Sequence, residues 1–250
     1  MNYKIKAIVI YLILLSCIML NKLNAQVVEK GETNSWFTLL NRLEINDRWS
    51  ISNEIHERTG AFLHSQGHFL VRPSIDYHLN KEVEFSLGYT YIHSTPYKPY
   101  SLPLERNENN IWEQVLLKNT FGKVKLLHRF RQEHRWVNHI EETNGDYLLN
   151  GNDFSNRFRY RFIVSFDIYK FKKSEHKLFA TAWDEIWILQ SNNLAPKDFN
   201  RNWLYLGIGF TFNSTANIQA GFLQQYDKVG ANNFISSPVA QFTLVKNFRL

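Results

Sequence analysis

The chain has 250 residues, of which 44% are hydrophobic, 21% charged and 15% aromatic. The many aromatic residues exclude a disordered or collagen-like chain, the single cysteine excludes a disulfide scaffold, and the scarcity of long apolar segments excludes a polytopic helical membrane protein. The formal net charge of +6 would suit a nucleic-acid partner, but part of this charge lies in the first 25 residues.

The N-terminal segment is typical of a secretory signal peptide. Lysines precede an apolar stretch over residues 7–15, and the segment ends in the small-residue site Leu23-Asn24-Ala25. We predict that residues 1–25 are removed and that residues 26–250 form the mature chain, which has no cysteine and 26 basic against 23 acidic residues. This small excess does not indicate nucleic-acid binding. Lipidation of Cys17 and a retained helical anchor are the alternatives.

The mature chain shows apolar and polar residues in alternation, which is the pattern of a strand with two different faces. No sustained apolar stripe at helical spacing is present. Eleven strands are predicted, at about 36–45, 49–56, 68–77, 83–91, 111–120, 123–137, 154–169, 176–190, 202–213, 215–227 and 237–248.

The connections between these strands alternate in length. Tight turns are predicted near residues 46–47, 80–81, 121–122, 172–174 and 213–214, and longer loops at 59–66, 94–110, 139–153, 191–201 and 228–236. A meander with short turns at one end and longer loops at the other is typical of outer-membrane barrels, whose short turns are periplasmic and whose longer loops are extracellular.

The sequence therefore predicts an all-β, antiparallel up-and-down transmembrane β-barrel of 10 to 12 strands in the outer membrane of a Gram-negative bacterium, in contact with its lipids. Twelve strands are favoured because bacterial barrels usually have an even number, and Val27 to Gly31 would supply a short twelfth strand directed upward. The abundant aromatic residues are expected on lipid-facing and interfacial positions. A soluble periplasmic barrel that binds a ligand remains an alternative, because alternation alone does not say which face meets water.

Charged residues recur on one face of the predicted strands, opposite the apolar face. The predicted lumen network consists of Arg42, Glu44, Glu54, Arg72, Asp76, Glu84, Glu113, Arg129, Arg131, Glu133, Arg135, Arg157, Arg159 and Arg161, with Asp184 or Glu185 added according to register. Guanidinium groups can bridge carboxylates from strand to strand, so the network would brace the barrel wall. Alternatively, an arginine-lined path would favour small anionic solutes, since rings of arginine select anions.

Several of these residues carry a family resemblance. Trp36, Glu113-Gln114, the Arg129-x-Arg131-x-Glu133-x-Arg135 strand, Phe158-Arg159-Tyr160-Arg161 and Asp184-Glu185 resemble the pattern of an uncharacterised bacterial outer-membrane barrel family, domain of unknown function 2490. The resemblance implies a barrel and an outer-membrane location. It supplies no catalytic residues.

An outer-membrane lipid hydrolase is the alternative function. His64-Ser65 and His93-Ser94 lie near the outer ends of predicted strands, where such enzymes place their catalytic groups. Adjacent strand residues point to opposite faces, so neither pair is a ready dyad and no catalytic residue is assigned. The nine histidines lack the spacing of a metal site, and no phosphate-binding glycine motif is present. We therefore predict neither a metal nor a cofactor.

Overall fold

The computed structural model describes residues 27–96, 103–172 and 174–250. The predicted signal peptide and Cys17 lie outside the described residues. Within these three segments, no helix is long and apolar enough to cross a membrane.

One sheet contains all the strands of the described residues. Its twelve strands are β1 (Val27–Lys30), β2 (Asn34–Glu44), β3 (Trp49–Gly60), β4 (Ser65–His78), β5 (Val83–Ser94), β6 (Arg106–Phe121), β7 (Val124–Thr143), β8 (Asp146–Lys170), β9 (Lys177–Gln190), β10 (Pro196–Asn213), β11 (Ala216–Lys228) and β12 (Asn233–Arg249).

The sheet closes into a barrel. Each strand from β2 to β11 pairs antiparallel with the next, and β12 then pairs with β2 in parallel, from Val239 with Asn34 to Arg249 with Glu44. Eleven strands therefore form the closed wall, within the predicted range of ten to twelve. Among the strands of the described segments, the one departure from a purely antiparallel barrel is this closing seam, where β1 also pairs with β12 in parallel.

The short strand predicted near Val27 is present, but its direction differs from the prediction. β1 pairs with the first residues of β12, from Val27 with Asn233 to Lys30 with Ser236, and β2 pairs with the rest of the same edge. β1 thus precedes β2 in line and runs in the same direction. The reason is that β12 is 17 residues long and extends past the start of β2. β1 pairs with the backbone of this extending part of β12, which would otherwise be an unpaired strand edge.

The strand connections define two ends of the barrel. Among the described residues, the turn end contains 45–48, 79–82, 122–123, 171–172, 174–176 and 214–215, and the loop end contains 61–64, 95–96, 103–105, 144–145, 191–195 and 229–232.

The predicted loop at 139–153 is a strand hairpin in the structure. β7 and β8 remain paired from Ile140 with Leu149 to Thr143 with Asp146. Asn144 and Gly145 make a two-residue turn with φ of 56° and 89°, the positive values that tight hairpins require. The alternation is lost here because both faces of the protruding hairpin are exposed, so the sequence shows no preferred face.

The outer wall is apolar, and large hydrophobic side chains are exposed around its circumference. Leu87 is 61% exposed, Ile208 59% and Ile75 56%. The inside also holds a hydrophobic cluster, which differs from the expected lipid-facing position of the aromatic residues. Five of the seven tryptophans are buried: Trp36, Trp112, Trp183, Trp187 and Trp203.

Inward-facing glycines make room for these rings. A Cβ on Gly88 would lie 2.1 Å from the Trp112 ring, and one on Gly207 would lie 2.2 Å from the Tyr205 hydroxyl. A side chain at either position would force the neighbouring ring to move, which is the usual reason for glycine inside a strand. The barrel interior is therefore filled in part by aromatic rings that cross to neighbouring strands.

Candidate functional site

A buried ladder of arginine and glutamate side chains runs along the inner faces of β7, β8 and β9. Arg157 and Arg159 donate to Glu133 at 2.7 and 2.6 Å, and Arg159 also donates to Glu185 at 2.9 Å. Arg129 and Arg161 complete the ladder on Glu185, at 2.6 and 3.0 Å. Both glutamates are fully buried. We call these residues the arginine–glutamate ladder.

The strand register explains why the ladder forms. Residues 157, 159 and 161 alternate along β8, so their side chains share one face. Across the neighbouring strands Arg157 lies opposite Glu133 and Arg161 lies opposite Glu185. Charged hydrogen bonds of this kind are stronger than neutral ones, and each of the three β8 guanidinium groups donates at least one of them inside the wall.

Several of the guanidinium groups also stack on indole rings. The Arg131 guanidinium lies 4.0 Å from the Trp112 ring centre, and the Arg159 guanidinium lies 3.8 Å from that of Trp187. Arg161 stacks on Trp183 at 4.0 Å. Desolvated cation–π contacts contribute roughly 2 kcal/mol each. The tryptophans therefore help to bury the arginines that the carboxylates neutralise.

Two further ion-pair groups cross the lumen between strands that are not neighbours. Arg42 on β2 donates to both carboxylate oxygens of Glu84 on β5, at 3.1 and 2.8 Å. Arg131 on β7 reaches Glu54 on β3 at 3.5 Å, and Glu54 also accepts from Arg72 at 2.6 Å. These contacts join strands that are three or four positions apart in the wall, so they brace the barrel and occupy part of its cross-section.

Two cavities lie in the part of the lumen that the described residues form. The turn-end cavity has a volume of about 490 Å³ and extends to Glu44 and Asn247. The loop-end cavity has a volume of about 440 Å³ and extends to Ser94 and Arg106. Both cavities are lined by Trp36, Arg58 and Arg72, which lie between them. We call these three residues the central plug.

A comparison with known protein families finds a match. The model of the family described as a protein of unknown function (DUF2490) matches residues 33–235, from the residue before β2 into the start of β12. The chain belongs to the DUF2490 family. No curated protein and no solved structure matches it.

The structure of this DUF2490 barrel places the predicted network residues, apart from two, on the lumen side. Of the fourteen residues on the lumen side, twelve line the two cavities. The remaining two lumen residues, Glu133 and Glu185, belong to the arginine–glutamate ladder. The lining residues are Arg42, Glu44, Glu54, Arg72, Asp76, Glu84, Arg129, Arg131, Arg135, Arg157, Arg159 and Arg161.

Glu113 and Asp184 lie on the outer wall. This corrects the prediction for Glu113, and it decides the register that the sequence left open between Asp184 and Glu185 in favour of Glu185. Glu113 stands between the inward Trp112 and Gln114, and its carboxylate is 3.4 Å from His134. Asp184 precedes the inward Glu185 and accepts from Asn202 at 2.9 Å. Successive strand residues point to opposite faces, so a neighbour of an inward residue points outward.

Other lumen residues were missed by the sequence prediction. Glu108 falls within the predicted loop at 94–110, but it lies on β6 and accepts two hydrogen bonds from Arg135, of 2.7 and 2.8 Å. Lys118 donates to Glu84 at 2.6 Å. Arg58 and Arg201 line the loop-end cavity. Arg58 lies four residues after the predicted Glu54, so the two side chains share one face of β3. Extending the predicted alternation to the end of β3 therefore identifies Arg58 as a lumen residue.

In this DUF2490 barrel, the histidines of the His64-Ser65 and His93-Ser94 pairs have partners other than the adjacent serines. His93 lies 2.8 Å from Asn107, whereas Ser94 lines the loop-end cavity. Ser94 instead lies 2.8 Å from Nδ1 of His68, its cross-strand neighbour. His64 contacts a backbone carbonyl at the loop end. Among the described residues, no group of three or more histidine, cysteine or acidic side chains could hold a metal ion.

Proposed function

We propose that this protein is an outer-membrane β-barrel with a structural role, whose charged lumen is closed by its own side chains rather than open to free diffusion. The observation that carries the location is the apolar outer wall. In water, so much exposed apolar surface would favour aggregation, whereas in a bilayer the same side chains contact lipid. The signal peptide predicted over residues 1–25 agrees with this location.

The filled lumen supports the structural part of the proposal. The ladder, the cross-lumen pairs and the central plug occupy the middle of the barrel, where an open porin would hold water. The arginines outnumber the carboxylates around both cavities, so a solute that enters the lumen is expected to be a small anion.

Cell fractionation and bilayer recordings test this proposal together. The protein should be recovered with outer membranes and should migrate differently on gels before and after boiling, since membrane barrels stay folded in detergent. Purified protein in planar bilayers should produce no steady current steps. Recovery in the soluble periplasmic fraction would overturn the location and favour a soluble ligand-binding barrel, and large open-channel steps would overturn the closed lumen.

A lipid or ester hydrolase is the second candidate, favoured by the contact between Ser94 and His68. A serine within hydrogen-bond reach of a histidine is the minimal arrangement for a nucleophile and its base. Purified protein should then release fatty acid from phospholipid or p-nitrophenyl butyrate. Ser94→Ala should abolish the release, and Ser65→Ala, at the loop-end start of β4, should not change it. Equal activity in both variants would exclude Ser94 as the nucleophile.

A further inference from the structure

The loop-end cavity carries an excess of positive charge. Six arginines from six different strands line it: Arg58, Arg72, Arg106, Arg135, Arg157 and Arg201. Two carboxylates, Glu108 and Asp227, line the same space.

Nearby carboxylates reduce this excess without removing it. Arg72 is paired with Glu54 and Arg157 with Glu133, both from beyond the cavity lining. With these two added, six guanidinium groups still face four carboxylates, and His68 contributes a further ring nitrogen. Cations held away from bulk water without full compensation are costly, so the cavity favours an added negative charge.

The volume and the apolar lining of the cavity limit the kind of anionic ligand that it can bind. The volume of about 440 Å³ lies within the range of small-molecule sites, which is roughly 300–1,000 Å³. Leu70, Ile92 and Trp187 provide apolar contacts next to the arginines. A molecule with a compact body and more than one anionic group matches this combination better than a bare ion does.

We propose that the loop-end cavity is a binding site for a small organic polyanion whose carboxylate or phosphate groups are held by arginine side chains. The proposal goes beyond the structural role proposed above: it rests on the closed, arginine-rich lumen and does not depend on the membrane location. The central plug closes the cavity on the side that faces the turn end, so the ligand enters and leaves at the loop end.

The test uses the full mature protein purified in detergent. Citrate, glucose 6-phosphate, inorganic phosphate and glucose are titrated by calorimetry and by tryptophan fluorescence, since Trp36 and Trp187 line the cavity. Saturable binding is expected for citrate or glucose 6-phosphate, weaker binding for phosphate and none for glucose. The affinity should fall as salt is added, because the attraction is electrostatic.

Variants then locate the site. Arg106→Gln and Arg201→Gln should each weaken binding about tenfold or more, the effect of losing one charge-assisted hydrogen bond. Ser94→Asp removes no arginine but adds a carboxylate inside the cavity, and it should also prevent binding. Arg249→Gln, an exposed arginine at the turn end that pairs with Asp47, is the matched control and should bind like the unaltered protein.

Each outcome decides the proposal. The gel shift on boiling confirms that every variant is folded. Absence of binding by all of the anions, or equal affinity in the folded cavity variants and the control, would overturn the anion site. A protein that fractionates with outer membranes yet binds no anion would overturn this inference alone, and a soluble protein that binds anions would overturn only the location.

Discussion

Glu133 and Glu185 each accept hydrogen bonds from more than one arginine and have no exposed surface. Such a carboxylate has lost its water, and its attraction to the guanidinium groups offsets that loss. The same attraction lets several arginines lie close together on β8. The glutamates are therefore expected to matter more for stability than any single arginine that they hold.

Replacing Glu185 tests this expectation. Glu185→Gln keeps the size of the side chain but leaves Arg129, Arg159 and Arg161 without the charge that they share. Removing one partner from a buried ion pair typically costs about 3–5 kcal/mol, so the free energy of unfolding should fall by that amount. Urea unfolding of the protein in lipid vesicles, followed by tryptophan fluorescence, measures the change.

Glu113→Gln is the matched control, because Glu113 lies on the outer wall with a half-exposed side chain. Its effect should stay within about 0.5 kcal/mol, as for most surface substitutions. If both variants unfolded at the same urea concentration, the ladder would not be the brace that its geometry indicates.

At the scale of strands, alternation predicted the inner faces well wherever one face was consistently apolar. In β8 the arginines at 157, 159 and 161 alternate with aromatic residues, and all three lie inside. The prediction was wrong for Glu113, because Glu113 and Gln114 are adjacent polar residues and therefore occupy opposite faces of β6. It stayed open for Asp184 and Glu185, because two adjacent acids give no preference for a face.

The closure of the barrel could not be predicted from local pattern. β2 and β12 lie at opposite ends of the sequence, and nothing in either segment reports that they meet in parallel. The eleven alternating segments were identified, but the usual even number in bacterial barrels suggested that a twelfth strand would run upward. Tertiary pairing instead placed β1 along the same edge as β2.

In the outer-membrane location proposed above, parallel closure predicts that Val27 and Leu250 lie on opposite sides of the membrane. Val27 lies beside Asn233 at the loop end, whereas Leu250 lies beside Glu44 at the turn end. With the loop end outside the cell, an epitope inserted before Val27 should be cleaved by protease added to intact cells. An epitope in the 79–82 turn should be protected until the membrane is permeabilised.

An epitope in the 191–195 loop is the positive control for access to the loop end. Protection of both the Val27 and the 79–82 epitopes in intact cells, with cleavage at 191–195, would contradict parallel closure, because an even number of crossing strands would then return the N-terminus to the periplasm.

At the scale of the whole molecule, the lumen has an aromatic side and a charged side. The buried hydrophobic cluster belongs to β2 and to β9–β12, and most of the charged residues belong to β3–β8. The guanidinium groups of Arg58, Arg157 and Arg161 stack on tryptophan rings where the two sides meet. A barrel filled in this way has no need of a separate plug domain.

Removing the central plug should convert the barrel into a pore. In the triple variant Trp36→Gly/Arg58→Ser/Arg72→Ser, the side chains that separate the two cavities are lost, so cavities of about 490 and 440 Å³ should join into one water-filled path. Planar bilayers should then show small current steps. The reversal potential in a salt gradient should report anion selectivity, because the arginines of the ladder remain.

The control replaces the same residue types outside the lumen, in Trp136→Gly/Arg48→Ser/Arg249→Ser, and should leave the bilayer silent. All of the variants must first show the gel shift on boiling that marks a folded barrel. A folded triple variant of the plug that carried no current would mean that the ladder and the cross-lumen pair of Arg42 and Glu84 close the lumen without Trp36, Arg58 and Arg72. Steps in both triple variants would instead indicate a general loosening of the wall, since the control leaves every lumen residue in place.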